Sequence, residues 1–544
     1  MNRGMQGLGL LVLVGCGGAD VQAQWASGAD DAPYALVVPN LDDDDGDGEA
    51  DWLSPGTEGD DDRTTVLLSN KARGTTLSLV GEPNVIRVYH EGRVVLGAGA
   101  PATWALPERG KDDTIEVQIE AVTWGPLGTL VLTDDKKEET ATLQIMGSPP
   151  TLGHHLLETE QAWVLTLNFG GRSNNDAMVA SLTDSLGDMM TVLPGPQYGD
   201  DPWMQDEVEH LGVWGPDARS NLLLDSIRDG NGWGGLDPFP ETLAGANAWV
   251  ETHGSGSVPS TYDAFGNLEV SPPVTVDGVD YPLGRIYYGW NGETGGFSDL
   301  GPSPDVRDYL EGLGAQPPFH VDTSWLCVGH IDEFTSFVPD PTAPRGFRFL
   351  IADTALGLAT LRKRGDDTPL MRHTLQGYNG HNRPTVGSYV NDAALIAYNE
   401  DMQRDHIDPA LEVFKAEIGL TEEEIIRVPS FFEEVVDPDF GVCGAAAVVP
   451  GMVNLLMITN EDGTGGKALM ADPFVRSQGE SQDDDVFVQA WRELLPDSVE
   501  LVFVDDWFVY HMGLGEVHCA TNQRRKPALS TIDVDAWLAE ELGQ

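Results

Sequence analysis

A chain that carries 88 acidic side chains against 31 basic ones, a formal net charge of −57 at pH 7, can become compact only if its carboxylates spread over a surface or are neutralised by cations. The same field repels phosphate backbones, which excludes nucleic acid as a partner, and it attracts metal ions and Arg- or Lys-rich chains. Apolar residues make up 41% of the 544, enough to build a sizeable core. The 63 glycines and 35 prolines favour a loop-rich mixed fold over a helical bundle. Four cysteines cannot supply a dense disulfide framework. Cys327 and Cys443 are expected as buried packing residues, with no disulfide between them, so cohesion should come from packing and bound ions.

The first residues carry one early cation, Arg3, and an apolar run from Leu8 to Val14 that is too short to span a bilayer. Leu13-Val14-Gly15-Cys16 resembles a bacterial lipobox, in which Cys16 becomes the lipidated first residue. An ordinary export signal is the plainer reading of the same residues. The later run Ala445–Ile458 is interrupted by Pro450 and Asn454, so no transmembrane segment is expected. The expectation is therefore an exported protein, secreted or held at the outer membrane or cell surface by a lipid on Cys16. Residues 1–16 read as the signal and 17–33 as a tether. Residues 34–148 alternate short β-type runs (Tyr34–Val38, Thr64–Ser69, Ile115–Glu120, Gly128–Thr133, Thr140–Ile145) with turn residues, the pattern of a small β-sandwich. Gly147-Ser148-Pro149-Pro150 marks a boundary, and 151–544 mixes strands and helices. Asn391–Ile418 reads as helical with a break near Asp408-Pro409, and Thr421-Glu422-Glu423-Glu424 as a capping box opening another helix. No simple sequence repeat is evident.

Asp43-x-Asp45-x-Asp47-Gly48 is the first half of a calcium loop, with alternate carboxylates converging and glycine allowing the sharp turn. Ser54 stands at the twelfth place, so a complete EF-hand is excluded. A solvated acidic linker is the plainer alternative.

Three later segments concentrate reactive side chains. In Trp203-Met204-Gln205-Asp206-Glu207-Val208-Glu209, an extended chain would place Gln205, Glu207 and Glu209 on one face, as oxygen ligands for a hard cation, and Asp206 on the other beside Trp203. In Gly329-His330-Ile331-Asp332-Glu333-Phe334, His330 and Asp332 would point the same way on a strand. Gly515-Glu516-Val517-His518-Cys519 supplies a thiol. A thiol, a histidine and two carboxylates suit attack on a planar cationic carbon: the carboxylates grip a guanidinium, the thiolate is the nucleophile, and the histidine moves protons. His518 would face away from Cys519 on a strand, which makes His330 the better acid/base candidate. Taken singly, each group also has a structural reading as packing or solvated surface.

These segments closely resemble the protein-arginine deiminase family. The resemblance is carried by Trp203-Met204-Gln205-Asp206-Glu207, FGNLEVSPPVTVDGVDYPLGRI at 265–286 and GHIDEFTSFVP at 329–339. It continues through GLTEEEIIRVP at 419–429, Met452-Val453-Asn454 and GEVHCATNQRRKP at 515–527, in family order. Residues 34–150 resemble the family's immunoglobulin-like middle domain more weakly, and the resemblance implies that the signal and tether stand in place of the first domain of animal members.

The resemblance implies an α+β multidomain fold: an immunoglobulin-like β-sandwich over 34–148, followed by a five-bladed α/β propeller of the guanidino-group-modifying superfamily over 151–544. It implies calcium-dependent hydrolysis of peptidyl-arginine to peptidyl-citrulline and ammonia, with arginine-containing peptides or proteins as substrates. By position, Cys519 is the nucleophile that forms a thiouronium adduct, His330 the general acid/base, and Asp206 and Asp332 the guanidinium clamps. Trp203 walls the side-chain slot, and Arg228 matches an arginine that holds the substrate backbone. One calcium maps to Gln205, Glu209 and Glu269 with the backbone oxygens of Phe265 and Leu268. A second maps to Glu207, Asp225, Asp229 and the Ser226 backbone. In the acidic loop the family register gives Asn40, Asp42 and Asp44. Gly230, Gly513 and Leu514 replace basic residues found in relatives, so the rim departs from the family pattern. A free-arginine deiminase or amidinotransferase, or a non-catalytic calcium-binding surface lipoprotein, are the alternatives.

Overall fold

The computed structural model describes residues 11–14, 21–25, 34–43, 50–54, 62–70, 75–107, 114–134, 139–215, 219–228, 238–243, 248–252, 261–295, 298–370, 384–437 and 441–542. Cys16, Asp44, Asp45, Asp47, Asp229 and Gly230 lie outside them. The fold mixes helices with many separate sheets, none of them closed on itself.

The five β-type runs expected before residue 148 all form strands: Tyr34–Val37, Thr64–Asn70, Thr114–Ala121, Gly125–Asp134 and Glu139–Gly147. They fall into two sheets. One is six-stranded and contains Thr64–Asn70 and Thr114–Ala121, with Leu11–Val14 and Val21–Trp25 at one edge. The other is five-stranded, and Tyr34–Val37 pairs parallel with Glu139–Gly147 in it. Alternate residues of both sheets (Val66, Leu68, Ile115 and Val117 from one, Leu77, Leu130, Leu132 and Leu143 from the other) meet in one core. This is the period-2 pattern expected of strands with one apolar face.

Beyond residue 150 one unit recurs five times. In each, two strands pair antiparallel, as a hairpin in four of the five, and a third strand returns through a helix to lie parallel to one of them. The pairs are Val208–Trp214 with Arg219–Asp225, Leu268–Val270 with Ile286–Gly289, Thr335–Pro339 with Phe347–Asp353, and Leu456–Thr459 with Gly466–Ala471. Their parallel partners are Ala248–Thr252, Phe319–Val321, Ile425–Pro429 and Val499–Val504. The fifth unit joins the two ends of this region. Thr159–Thr166 pairs antiparallel with Thr521–Arg525 and parallel with Met190–Pro194. Each parallel return runs through a helix, as parallel crossovers require: Asp176–Leu186, Pro238–Leu243, Pro304–Gly312, Asp408–Ile418 and Val486–Leu494. The repeat lives in backbone pairing rather than in residue identities, which is why no sequence repeat reveals it.

Asn391–Ile418 is helical over Ala393–Met402 and Asp408–Ile418, joined by a wider helical turn at Gln403–Ile407 just before Pro409. The expected helix after Thr421 does not form. Glu424 does accept hydrogen bonds from the Thr421 backbone and hydroxyl at 2.9 Å. The chain then enters strand Ile425–Pro429, because Ile425, Ile426 and Val428 suit a strand beside Phe347–Asp353. Among the described residues, no helix is long and apolar enough to cross a membrane.

The cysteine expectation fails. Cys327 and Cys443 form a disulfide with Cα atoms 4.9 Å apart, and Cys443 is exposed. Backbone pairing causes it: Cys327 N–H donates to Ala445 O and Ala445 N–H to Trp325 O, each at 2.9 Å. That pairing joins residues 116 apart in sequence, a proximity that spacing alone does not reveal. Replacing both cysteines with serine should lower unfolding stability by about 3 kcal/mol, since the cross-link restricts a long loop in the unfolded chain. An unchanged denaturant midpoint would show that it does not.

Candidate active site

Five segments reach one place, and each immediately precedes a strand of the antiparallel pair in a different unit: Trp203–Glu207, Phe265–Asn267, His330–Asp332, Asn454 and Cys519. The first is not extended as expected. Met204–Glu207 is a single helical turn running into strand Val208–Trp214. The turn forms because the segment is pinned beside Cys519. Gln205 N–H donates to Cys519 O at 3.3 Å, and Asn522 donates to Val208 O at 2.7 Å. Where the turn runs into the strand, Gln205 meets Glu209, its side-chain amide donating to that carboxylate at 3.0 Å. Asp206 turns the other way, and Glu207 goes elsewhere.

His330 and Asp332 also sit on a turn, Ile331–Glu333, rather than on a strand. The Glu333 carboxyl group accepts the backbone N–H of His330 at 2.9 Å and of Gly329 at 3.0 Å, which fixes the turn. His330 Nε2 lies 2.7 Å from Thr261 O. A carbonyl only accepts, so Nε2 carries the proton and Nδ1 is the basic nitrogen, 3.6 Å from Asp206 Oδ1. Gly266 fills the space between: a Cβ there would lie 2.6 Å from His330 Nδ1 and 2.7 Å from Asp206 Oδ1. Only glycine allows this approach of backbone to side chains.

Cys519 is buried and held on three sides. Asn454 donates its side-chain N–H to Sγ at 3.2 Å, while its Oδ1 accepts the backbone N–H of His518 at 3.0 Å and of Cys519 at 3.3 Å. The thiol reaches Asp332 Oδ2 at 3.6 Å. His518 does not face away as expected. The chain turns at this point, and Nδ1–H donates to Asp332 Oδ2 at 2.8 Å. The four residues of the expected machinery thus converge. Trp203, Asp206, Arg228, Thr261, His330 and Cys519 line a cavity of about 230 Å³. A Cβ at Gly515 would lie 2.4 Å from the Trp203 ring, so that wall needs glycine behind it. Arg228 is buried, with Nη2 on Asp201 at 2.8 Å and Nη1 donating to Trp203 O at 3.0 Å.

Burial pushes the Cys519 thiol well above its ordinary value, and the charges of Asp332 and Asp206 push the same way. Burial opposes charge on His518, but the hydrogen bond to Asp332 and the nearby Glu269 and Glu209 prevail and lift it.

The expected calcium ligands Gln205, Glu209, Glu269 and Leu268 line a separate cavity of about 30 Å³, the scale of a single ion or water. Burial, reinforced by Glu269, raises Glu209 to about 8, and burial raises Glu269 to about 7. Two buried carboxyl groups that hold their protons, beside carbonyl and amide oxygens, fit a hard divalent cation. Of the second set, Ser226 N–H donates to Glu207 O at 2.9 Å, and Glu207 Oε2 lies 3.6 Å from Arg228 Nη1. Asp225 accepts from Thr252 at 2.7 Å. In the acidic loop, buried Asn40 donates to Glu120 at 2.7 Å and buried Asp42 accepts from Ser220 at 3.0 Å, while Asp43 is half-buried. Asp42 thereby ties this loop to the strand that ends in Asp225. Sequence reasoning missed Asn454, Gly266, His518 and His155; for the first two, the signal was their place beside strand-opening segments.

The family model for protein-arginine deiminase (PAD) matches residues 140–530. The chain is 34% identical over 352 residues to protein-arginine deiminase type-4 of Rattus norvegicus and 34% over 355 residues to type-3 of Homo sapiens. It is 32% identical over 344 residues to the human type-1 enzyme. Those matches cover 64%, 64% and 62% of this chain and 50%, 50% and 48% of the relatives, so the chain spans about half the length of the curated relatives it matches. Among solved structures, an agmatine deiminase of C. jejuni aligns at 12% identity and a TM-score of 0.37, covering 70% of this chain and 97% of that one.

With the thiol raised by burial and two carboxylates, iodoacetamide should label Cys519 slowly at pH 7–8, and Asp332→Asn should speed labelling. Peptide mass spectrometry over time checks this. A variant no faster than the parent would remove Asp332 as a cause.

Proposed function

The chain belongs to the protein-arginine deiminase family, and from this we infer that it hydrolyses peptidyl-arginine to peptidyl-citrulline and ammonia. The observation that carries the reading is the meeting of Cys519, His330 and Asp206 at one cavity, with Asp332 Oδ2 3.6 Å from Cys519 Sγ. Asp206 and Asp332 grip the guanidinium nitrogens, each carboxylate offering paired oxygens to paired N–H groups. The arriving positive charge offsets the two charges that hold the thiol protonated, so substrate itself favours the thiolate. As Cys519 Sγ adds to the guanidinium carbon, the thiol proton passes to His330 Nδ1. The C–N bond to the leaving nitrogen breaks as His330 Nδ1 delivers a proton, and ammonia departs from the thiouronium adduct. Water, losing its proton to His330, adds to the same carbon; the C–S bond breaks and citrulline leaves the restored thiolate. Asn454 and His518 are positioning residues, the first for Sγ and the second for the Asp332 carboxylate.

Gln205, Glu209 and Glu269, with the Phe265 and Leu268 carbonyls, would hold one calcium, and Glu207, Asp225, Ser226 and Asp229 a second. Bound calcium supplies charge that neutralises buried carboxylates and steadies the turn carrying Asp206. Asn40, Asp42 and Asp44, or the register Asp43, Asp45 and Asp47, would serve the acidic loop. Within this reading, residues 34–148 form an immunoglobulin-like sandwich and 151–544 a five-bladed α/β propeller. The shared core of two sheets and the five recurring units support that division. Residues 1–16 would direct export, followed by the tether 17–33, with Cys16 a lipid anchor at the outer membrane or cell surface.

Citrulline release from an N-acylated arginine amide, with calcium and with chelator, tests the activity. Release should need calcium and vanish in Cys519→Ala, and Asp206→Asn should lower kcat/KM at least about 100-fold. Turnover of free arginine alone would overturn the peptidyl reading. The raised carboxylates give a second expectation. Protons on Glu209 (about 8) and Glu269 (about 7) compete with calcium, so raising pH from 6 to 8 should strengthen calcium binding and reduce proton release. A calcium affinity that does not change over this window would exclude the two as ligands.

A further inference from the structure

We propose that His155, Glu269 and His518 form a binding site for a borderline divalent ion of the zinc type. His155 lies in the link between strands Thr151–Leu152 and Thr159–Thr166, and all three side chains are buried. Their ligand atoms lie within 4.8 Å of one another.

The tautomers make the nitrogens donors toward one point. His155 Nδ1 lies 3.0 Å from Phe337 O, an atom that only accepts, so Nδ1 carries the proton. Its Nε2 is then a lone pair, 3.4 Å from Glu269 Oε2. His518 Nδ1–H is committed to the Asp332 carboxylate, and its Nε2 faces Glu269 Oε1 at 3.7 Å, where a bound ion would take the place of a proton on that nitrogen. Two imidazoles whose far nitrogens are fixed by a carbonyl and a carboxylate have the supporting contacts that metal-binding histidines use.

The spacings favour an ion over a hydrogen bond. Nitrogen–oxygen hydrogen bonds cluster near 2.9–3.0 Å, and both gaps are wider. Tetrahedral zinc with ligands at about 2.0–2.1 Å sets neighbouring donors about 3.3–3.4 Å apart. The His155–Glu269 distance already matches that edge; the His518 side closes with a small ring movement. Glu209 lines the same cavity of about 30 Å³. Arg525 and Lys526 are the cations of that lining. The Arg525 guanidinium is tied to Met457 O at 2.7 Å and Leu157 O at 3.0 Å, and Lys526 pairs with Glu158. Imidazole with carboxylate selects zinc over calcium, which prefers oxygen alone.

Glu269 is also a proposed calcium ligand, so zinc would displace calcium there; this consequence rests on the calcium reading, whereas zinc binding itself does not. The test is calorimetric titration of the metal-free full chain with Zn²⁺ alone, in the Cys519→Ala background so that the thiol cannot bind it. One zinc should bind per chain, and His155→Asn should weaken binding at least tenfold. A separate Ca²⁺ titration, with and without zinc, should show calcium affinity falling as zinc is added, and His155→Asn should remove that antagonism. Thermal unfolding and calcium binding of the variant report whether it folds, and Glu269→Gln offers a second disruption of the site if it does not. Absence of zinc binding, or equal zinc affinity in His155→Asn, overturns the proposal even where calcium binds normally. Zinc binding without calcium binding would instead leave the zinc site standing and remove the calcium reading.

Discussion

Asp206, Glu209, Glu269, Asp332 and Glu333 lie close together and largely out of water, and the cost of holding so many carboxylates there governs the neighbourhood of Cys519. Each buried charge must be met by a cation, a hydrogen bond or a proton. The molecule uses all three. Arg228 answers Asp201, and His518 answers Asp332. Backbone N–H groups answer Glu333. Protons remain on carboxyl groups that burial has lifted, Glu209 and Glu269 among them. What these devices leave over is negative charge directed at two cavities, and a guanidinium and a divalent cation are the two species whose charge would complete them.

The fold delivers those side chains by repetition. Each unit buries its own apolar strands, as Phe347–Asp353 does with five fully buried residues, Phe347 and Phe349–Ala352. The segment before each first strand is thereby free to vary while its end point stays fixed. Five such segments contribute a carboxylate, a glycine, a histidine with its carboxylate, an amide and a thiol. No single unit contains the chemistry, and the rigid strands behind the segments set the separations.

That Asp206, His330, Asp332 and Cys519 belong together was legible before any coordinates, because they are chemically distinctive and set in recognisable runs, and the structure brings them to one place. Their local geometry was not. An alternating pattern suggested a strand at 205–209, where contacts with Cys519 O and Asn522 impose a helical turn, and those contacts join residues more than 300 positions apart. His518 was discounted by the same strand assumption, although the chain turns there and aims it at Asp332. The Cys327–Cys443 bridge depends on the Leu326–Ala445 pairing, and Glu424 caps a turn but yields to β-branched residues behind it. In every case a long-range contact overruled a local propensity that was correctly read.

The fifth unit is stitched from the two ends of its region, Thr159–Thr166 pairing with Thr521–Arg525 only two residues after Cys519. A chain growing from the ribosome therefore holds four units, the last ending at Val504, before it holds Cys519 or the strand that follows it. The pairing of the two ends joins residues as far as 366 positions apart, a span that slows its formation. A nascent chain can thus bury most of its apolar surface while still lacking Cys519. The order of translation withholds that thiol until the other four units have been made.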